Sequence, residues 1–277
     1  MNKILCPTDF SKTATNAVEF AALIAHHLQV PLTILHVVHL PLIDTTEVAL
    51  AATEALDDQK QFARHKLENL CAYLTQKYGN GSGKYDFIVK EALLSDAVKQ
   101  MCRHDGFDMV VIGTSGGGNS LEELLIGSNT QAVIESVKCP VLAIPTKAIV
   151  APFKHLVYGY NYQPEDAEAI RYVLKFAGLF NAEVEIVHVS SKENADTHTK
   201  AQRFQENLRA ELPEFSLRFQ EIVHPDEVEG LKGFLTTTQA DAFVVLKKHK
   251  GFLSNLFDQS LSEQMTYQTK LPMLILH

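Results

Sequence analysis

Short apolar runs alternate with longer amphipathic stretches along the whole chain. The run "KILCPT" near the start reads as a buried strand. Ala17, Ala21, Ile24 and Leu28 follow at the spacing of one helical face. "PLTILHVV" reads as a second strand. From about Glu47 to Tyr78 the pattern is helical, and "GNGSG" ends it. "YDFIVKEA" is a third strand, leading to a short helix that Ser95 is placed to cap. "DMVVIG" is a fourth, followed by the glycine-rich stretch "GTSGGGNSLEELLIGS", a helix, and a last strand "CPVLAIP". Strands that alternate with helices form parallel sheets covered on both faces. With right-handed crossovers, the expected fold class is doubly wound α/β.

The pattern occurs twice. "KILCPTDFSKTATNAVEFAALIAHHLQVPLTILHVV" is echoed from residue 154 by "KHLVYGYNYQPEDAEAIRYVLKFAGLFNAEVEIVHVS". A shift of 152 carries Asn16-Ala17-Val18 onto Glu168-Ala169-Ile170 and His36-Val37 onto His188-Val189. Each half ends in a proline-led apolar run, "CPVLAIP" and "LPMLILH". The chain therefore reads as a duplication of a unit of about 140 residues, an ordinary domain size. The expected domains are 1–147 and 148–277, joined at the short, proline-bearing "PTKAIVAPF".

Composition narrows the function classes. The 277 residues are 46% hydrophobic and 21% charged, enough apolar material for a sizeable core. No apolar run approaches the roughly 20 residues of a membrane span. The N-terminus enters a strand directly, without a signal-peptide pattern, so a cytoplasmic location is expected. Net charge is −8 and no basic stripe stands out, which argues against nucleic acid as a partner. Cys6, Cys71, Cys102 and Cys139 are far apart and form no CxxC pair, so they read as free thiols. The twelve histidines show no ligand spacing, so no metal site is expected.

The glycine-rich stretch carries the candidate chemistry. In a doubly wound sheet, ligands bind beyond the carboxyl ends of the strands, where strand order reverses. Glycine there lets the backbone adopt positive φ and lets a ligand approach closely. The helix that follows offers unpaired N–H groups and a positive dipole end, which suit phosphate.

Gly113-x-x-Gly116, a spacer, then Gly127-Ser128 resembles the ATP-binding signature of the universal stress protein family. "KILCPTDFS", "LHVV" and "CPVLAIP" resemble that family's first, second and last strands. The resemblance covers the chain as two copies. It implies two doubly wound parallel-sheet domains in tandem, with the nucleotide-binding α-hydrolase-like topology of universal stress proteins. It also implies an ATP-binding, stress-response role, with ATP accompanied or not by Mg, and AMP or ADP as alternatives. The implied adenine pocket is Asp9 and the backbone of Val37, with Pro7 and Thr8 beside it. The implied phosphate loop is Gly113, Gly116, Gly127 and Ser128, with Asn129 adjacent. Ten residues separate Gly116 from Gly127 where the family pattern has nine. Either Gly117 takes the second role or the loop bulges by one residue.

Simpler roles exist for the same residues. Asp9 also suits a turn into the first helix. Ser128 also suits an N-cap, with "SNTQ" as a capping box in which Gln131 reaches back. His36 and His188 read as repeated core or pocket-wall residues. "SGGGNS", 115–120, resembles the loop of ATP pyrophosphatases but follows the fourth strand rather than the first. In the second half, Leu246, His249 and Gln259 fall at the glycine positions, and Asn161 replaces Asp9. One nucleotide per chain is thus expected, in the first domain. No Ser-His-Asp set, paired carboxylates or Walker lysine accompanies the loop, so no catalytic residues are assigned. An ATP-using transferase or hydrolase, with Glu122 or Glu123 near the phosphates, is one alternative; a scaffold that binds no nucleotide is another. The two closing strands are expected to pair within the chain as an intramolecular pseudo-dimer, because apolar edges invite pairing. A homodimer of such chains and an unidentified protein partner complete the expectations.

Overall fold

A computed structural model describes residues 1–38, 46–79, 84–114, 127–192, 195–247 and 271–277. The chain divides into two compact units, and the boundary along the sequence falls between Val150 and Ala151.

The first unit contains β1 (Ile4–Pro7), α1 (Lys12–Leu28), β2 (Leu32–Val38), α2 (Thr46–Tyr78), β3 (Tyr85–Glu91), α3 (Leu94–His104), β4 (Met109–Gly113), α4 (Ser128–Ser136) and β5 (Val141–Ile144). Its strands are parallel and ordered β3-β2-β1-β4-β5. The order reverses between β1 and β4, which makes their carboxyl ends the natural ligand crevice of the unit. Each residue of β1, β4 and β5 is buried, as continuous apolar runs in a two-sided parallel sheet should be. β3 is half-exposed and carries Asp86, Lys90 and Glu91, charges that suit the outermost strand of this order. α1 covers β1 and β4 with small side chains: Ala17, Ala21, Ala22 and Ala25 are fully buried. Such a face brings the helix backbone close to the sheet.

The second unit contains β6 (His155–Gly159), α5 (Asp166–Gly178), β7 (Glu183–Ser190), α6 (Ala195–Glu211), β8 (Arg218–Val223), α7 (Glu227–Thr237), β9 (Ala242–Leu246) and β10 (Met273–Leu276). The strand order β8-β7-β6-β9-β10 is that of the first unit. The likeness of the two units extends to backbone detail. Phe10 and Tyr162, one shift of 152 apart, both sit in the left-handed region, at φ 64° and 53°. Gln29 and Asn181, at the same shift, share φ 56° and 55° just after α1 and α5. Thr8 N donates to Leu35 O at 2.8 Å, and Tyr160 N to Val187 O at 3.0 Å. Asp108 N donates to Lys3 O, and Asp241 N to His155 O. Left-handed backbone is uncommon outside glycine, and here it recurs at matched positions of the two units.

The expected cap of α3 is corrected. The helix begins at Leu94 with Leu93 at its cap, so Ser95 lies inside the first turn. The Ser95 carbonyl instead accepts a long bond from the Ser136 hydroxyl of α4, at 3.4 Å.

Candidate functional site

The crevice of the first unit is a cleft of about 260 Å³. Of the ten residues expected at a nucleotide site, Pro7, Thr8, Asp9, Val37, Gly113, Gly127, Ser128 and Asn129 line it. Ala14, His36, Leu94, Ile112 and Thr130 complete the wall. Gly116, Gly117, "SGGGNS", Glu122 and Glu123 lie outside the described residues.

The chain turns from β1 into α1 through three side-chain caps. Thr8 Oγ1 accepts from Phe10 N at 3.1 Å, and Asp9 Oδ1 accepts from Ser11 N at 2.9 Å. Ser11 Oγ then accepts from Ala14 N at 3.1 Å and caps α1. Asp9 therefore has its turn-forming role, and its exposed carboxylate also faces the cleft. His36 is held at the end of β2 by a 2.8 Å bond to the Thr8 carbonyl. A carbonyl only accepts, so Nδ1 carries the proton. The imidazole is thus a fixed pocket wall, 4.7 Å from the Phe10 ring.

Gly113 ends β4 at a point where α1 also approaches closely. A Cβ there would lie 2.8 Å from Thr13 Cγ2 and 3.1 Å from both the Thr13 carbonyl carbon and its oxygen. The first turn of α1 comes too close to the strand end for any side chain. The ends of β4 and α4 are tied together beside it. Thr130 Oγ1 donates to the Gly113 carbonyl at 2.7 Å, and Gly127 N donates to the Thr114 carbonyl at 2.5 Å.

The capping box at Ser128 is not formed. Gly127 occupies the cap of α4, Ser128 is its first helical residue, and no side chain caps the helix. Gln131 Nε2 reaches forward to Glu135 Oε1 at 3.0 Å instead of back to Ser128. A glycine cap has no side-chain oxygen to occupy the N–H groups of the first turn, and Gly127 to Thr130, at the positive end of the helix dipole, line the cleft. Among the described residues that line the cleft Asp9 is the only carboxylate, and none is lysine or arginine. The polar groups the cleft offers at this end are the backbone N–H groups and the Ser128 and Asn129 side chains.

Sequence reasoning missed the neighbouring space. A second cavity of about 570 Å³ shares Asp9 and His36 and extends along α2, where Gln59, Phe62, Ala63 and Lys66 line it. Lys66 Nζ lies 5.0 Å from the Phe10 ring centroid and 4.4 Å from that of Phe62. Phe62 and Lys66 share a helix face at i, i+4, the one signal that could have revealed them.

At the corresponding place the second unit presents side chains of its own. Tyr160 stands for Thr8, Asn161 for Asp9, Tyr162 for Phe10, His188 for His36 and Leu246 for Gly113. His188 Nδ1 repeats the contact of His36, donating to the Tyr160 carbonyl at 3.0 Å. The Tyr160 and Tyr162 hydroxyls both donate to the Glu221 carboxylate, Tyr162 at 2.8 Å. Burial, with Glu221 alongside, pushes both phenols far above their ordinary range. Phe204 stacks on Tyr160 at 5.1 Å and 19°. α5 starts two residues later than a copy of α1 would, and the buried Asp166 carboxylate takes bonds from Asn161 N, Gln163 N and the Tyr158 hydroxyl. His249 and Gln259 lie outside the described residues. Among those described, no group of three His, Cys, Asp or Glu could hold a metal ion, and no helix is long and apolar enough to cross a membrane.

The universal stress protein family matches residues 1–145, more than half of the chain. The chain belongs to the universal stress protein family. Its fold is that of a universal stress protein from Archaeoglobus fulgidus DSM 4304, at a TM-score of 0.70 and 17% identity. That likeness covers 99% of this chain and 96% of that one. A protein of unknown function from Pseudomonas aeruginosa PAO1 is similar at a TM-score of 0.58 and 16% identity, over 100% of this chain and 92% of that one. No curated protein matches the chain.

Proposed function

We propose that the protein is a tandem universal stress protein whose first unit binds one adenine nucleotide, and whose second unit is a copy of the fold that binds none. The observation that carries this reading is the convergence of eight expected residues, from three strand ends and one helix start, on a single cleft. The base lies at Asp9 and the Val37 backbone, and the phosphates lie against Gly113, Gly127, Ser128 and Asn129. ATP is the proposed ligand, with Mg as a companion of its phosphates and AMP or ADP as alternatives.

The second unit supports the asymmetry. Tyr160 is 2% exposed and shares Glu221 with Tyr162, so side chains stand where the first unit is open. Among the described residues the first cleft holds one carboxylate and no lysine, which favours holding a nucleotide over cleaving it. Bound ATP then acts by favouring one conformation or one protein partner, and the response it serves is to stress.

Native mass spectrometry tests the reading. With ATP added at millimolar concentration, one nucleotide mass per chain is expected. No adduct, or two per chain, overturns it. Incubation with ATP followed by chromatography should return unchanged ATP; rapid appearance of AMP and pyrophosphate would make the protein an enzyme.

A further inference from the structure

Cys102 lies in the last turn of α3, and Cys139 in the turn between α4 and β5. They are 37 residues apart in sequence, yet their Sγ atoms are 3.4 Å apart. Both are free thiols, half-buried rather than sealed in the core. A disulfide needs its sulfurs at about 2.05 Å. Closing the pair therefore takes roughly 1.4 Å of approach between the sulfurs.

We propose that Cys102 and Cys139 form an oxidisable dithiol, a peroxide-responsive modification site that closes a covalent clamp between α3 and the turn into β5.

The two thiols differ in a way that orders the chemistry. Either S–H can bridge the two sulfurs; with the proton on Cys102 it stabilises a thiolate on Cys139 and lowers the Cys139 pKa, while the Cys102 proton is held more tightly. Burial pushes the Cys71 thiol up to about 11 and drives that of Cys6 higher still. The thiolate is the nucleophile, so Cys139 reacts first. Its sulfur attacks one oxygen of hydrogen peroxide, the O–O bond breaks, and the leaving hydroxide takes up a proton to become water. This leaves a sulfenic acid on Cys139. The Cys102 sulfur then attacks the Cys139 sulfur. The S–O bond breaks, and the departing hydroxide takes the Cys102 proton and leaves as a second water. Two thiols lose two electrons and two protons in all, and one peroxide becomes two waters.

The clamp has a structural consequence independent of what the cleft binds. Leu94 at the start of α3 and Ser128 at the start of α4 both line the cleft, and the two helices pack together. The disulfide ties the far end of α3 to the chain just beyond α4.

The experiment is oxidation of the reduced full-length protein by hydrogen peroxide, followed by alkylation, intact mass measurement and peptide mapping. The expected result is a loss of two hydrogens, a peptide joining Cys102 to Cys139, and reversal by dithiothreitol. The melting midpoint of the oxidised protein should rise by about 5 °C or more, because the bond closes a long loop in the unfolded chain. In Cys102→Ser, Cys139 should stop at a sulfenic acid that dimedone labels. In Cys139→Ser, labelling of Cys102 should be at least tenfold slower. Circular dichroism checks that each variant is folded, and the peptide map of the unsubstituted protein decides the matter if one is not. Peroxide that leaves both thiols open to alkylation, or that joins Cys6 or Cys71 instead, overturns the proposal.

Discussion

Replacing Gly113 by alanine adds one methyl group at the place where β4 meets α1. The new Cβ would stand 2.8 Å from Thr13 Cγ2 and 3.1 Å from the Thr13 carbonyl carbon and oxygen. Thr13 cannot simply turn aside, because its hydroxyl is paired with that of Thr146 at 2.5 Å. The two backbone atoms belong to the first turn of α1, so the helix itself must shift. Overpacking of this kind costs about 1–3 kcal/mol. A glycine-to-alanine change also restricts the unfolded chain and so stabilises, by roughly 0.4–1 kcal/mol. The clash outweighs that gain, and a net loss of about 1–2 kcal/mol is expected. Urea denaturation followed by circular dichroism measures it. Thr13→Ser removes Cγ2 and keeps the hydroxyl, so in the double variant the penalty of Gly113→Ala should shrink by about 0.5–1 kcal/mol. A Gly113→Ala protein as stable as the parent would refute the reasoning, and so would strict additivity with Thr13→Ser.

Two other outcomes are expected. Asp9→Asn keeps the bond to Ser11 N and removes only charge, so nucleotide affinity should fall by less than tenfold in equilibrium dialysis, with stability nearly unchanged. His277 is held down to about 4, first by burial and then by Lys247, against an ordinary value near 6.5. The folded state therefore binds fewer protons than the unfolded chain between these values. Its contribution to stability is full above about pH 6.5 and is lost as pH falls towards 4. Urea midpoints across that range should fall less steeply in His277→Asn, and parallel curves would count against the assignment.

Much of the fold was legible in the sequence, because its signals are local. Continuous apolar runs such as "MVVIG" and alanine spacing in α1 mark buried elements whatever they pack against. A shift of 152 aligned the halves without structural help. What was not legible depends on tertiary approach. Gly113 reads in sequence as a ligand-approach glycine, and only the position of Thr13 shows that a helix also comes near it. Ser128 and Ser95 have the residue type of caps, but the caps fall one residue earlier at Gly127 and two earlier at Leu93. The Cys102–Cys139 pair has no spacing signature at all, since the stretch between them carries a strand, the glycine-rich loop and a helix. Phe62 and Lys66 read simply as part of a long amphipathic helix, and only the fold brings them beside Phe10 and His36.

The central claim is that one cleft per chain holds the nucleotide through backbone donors at the start of α4. Gly127→Gln installs the residue that the sequence alignment places at this point of the second unit, setting a long side chain against the phosphate position. Charge-assisted bonds contribute roughly 1.5–3 kcal/mol each. Losing two weakens binding by about two to four orders of magnitude, at ~1.4 kcal/mol per tenfold. Calorimetric titration of ATP into the parent and the Gly127→Gln protein is the direct measurement. One site per chain is predicted in the parent, with a loss of at least a hundredfold in the variant. Two sites in the parent, or full affinity in Gly127→Gln, would contradict the claim.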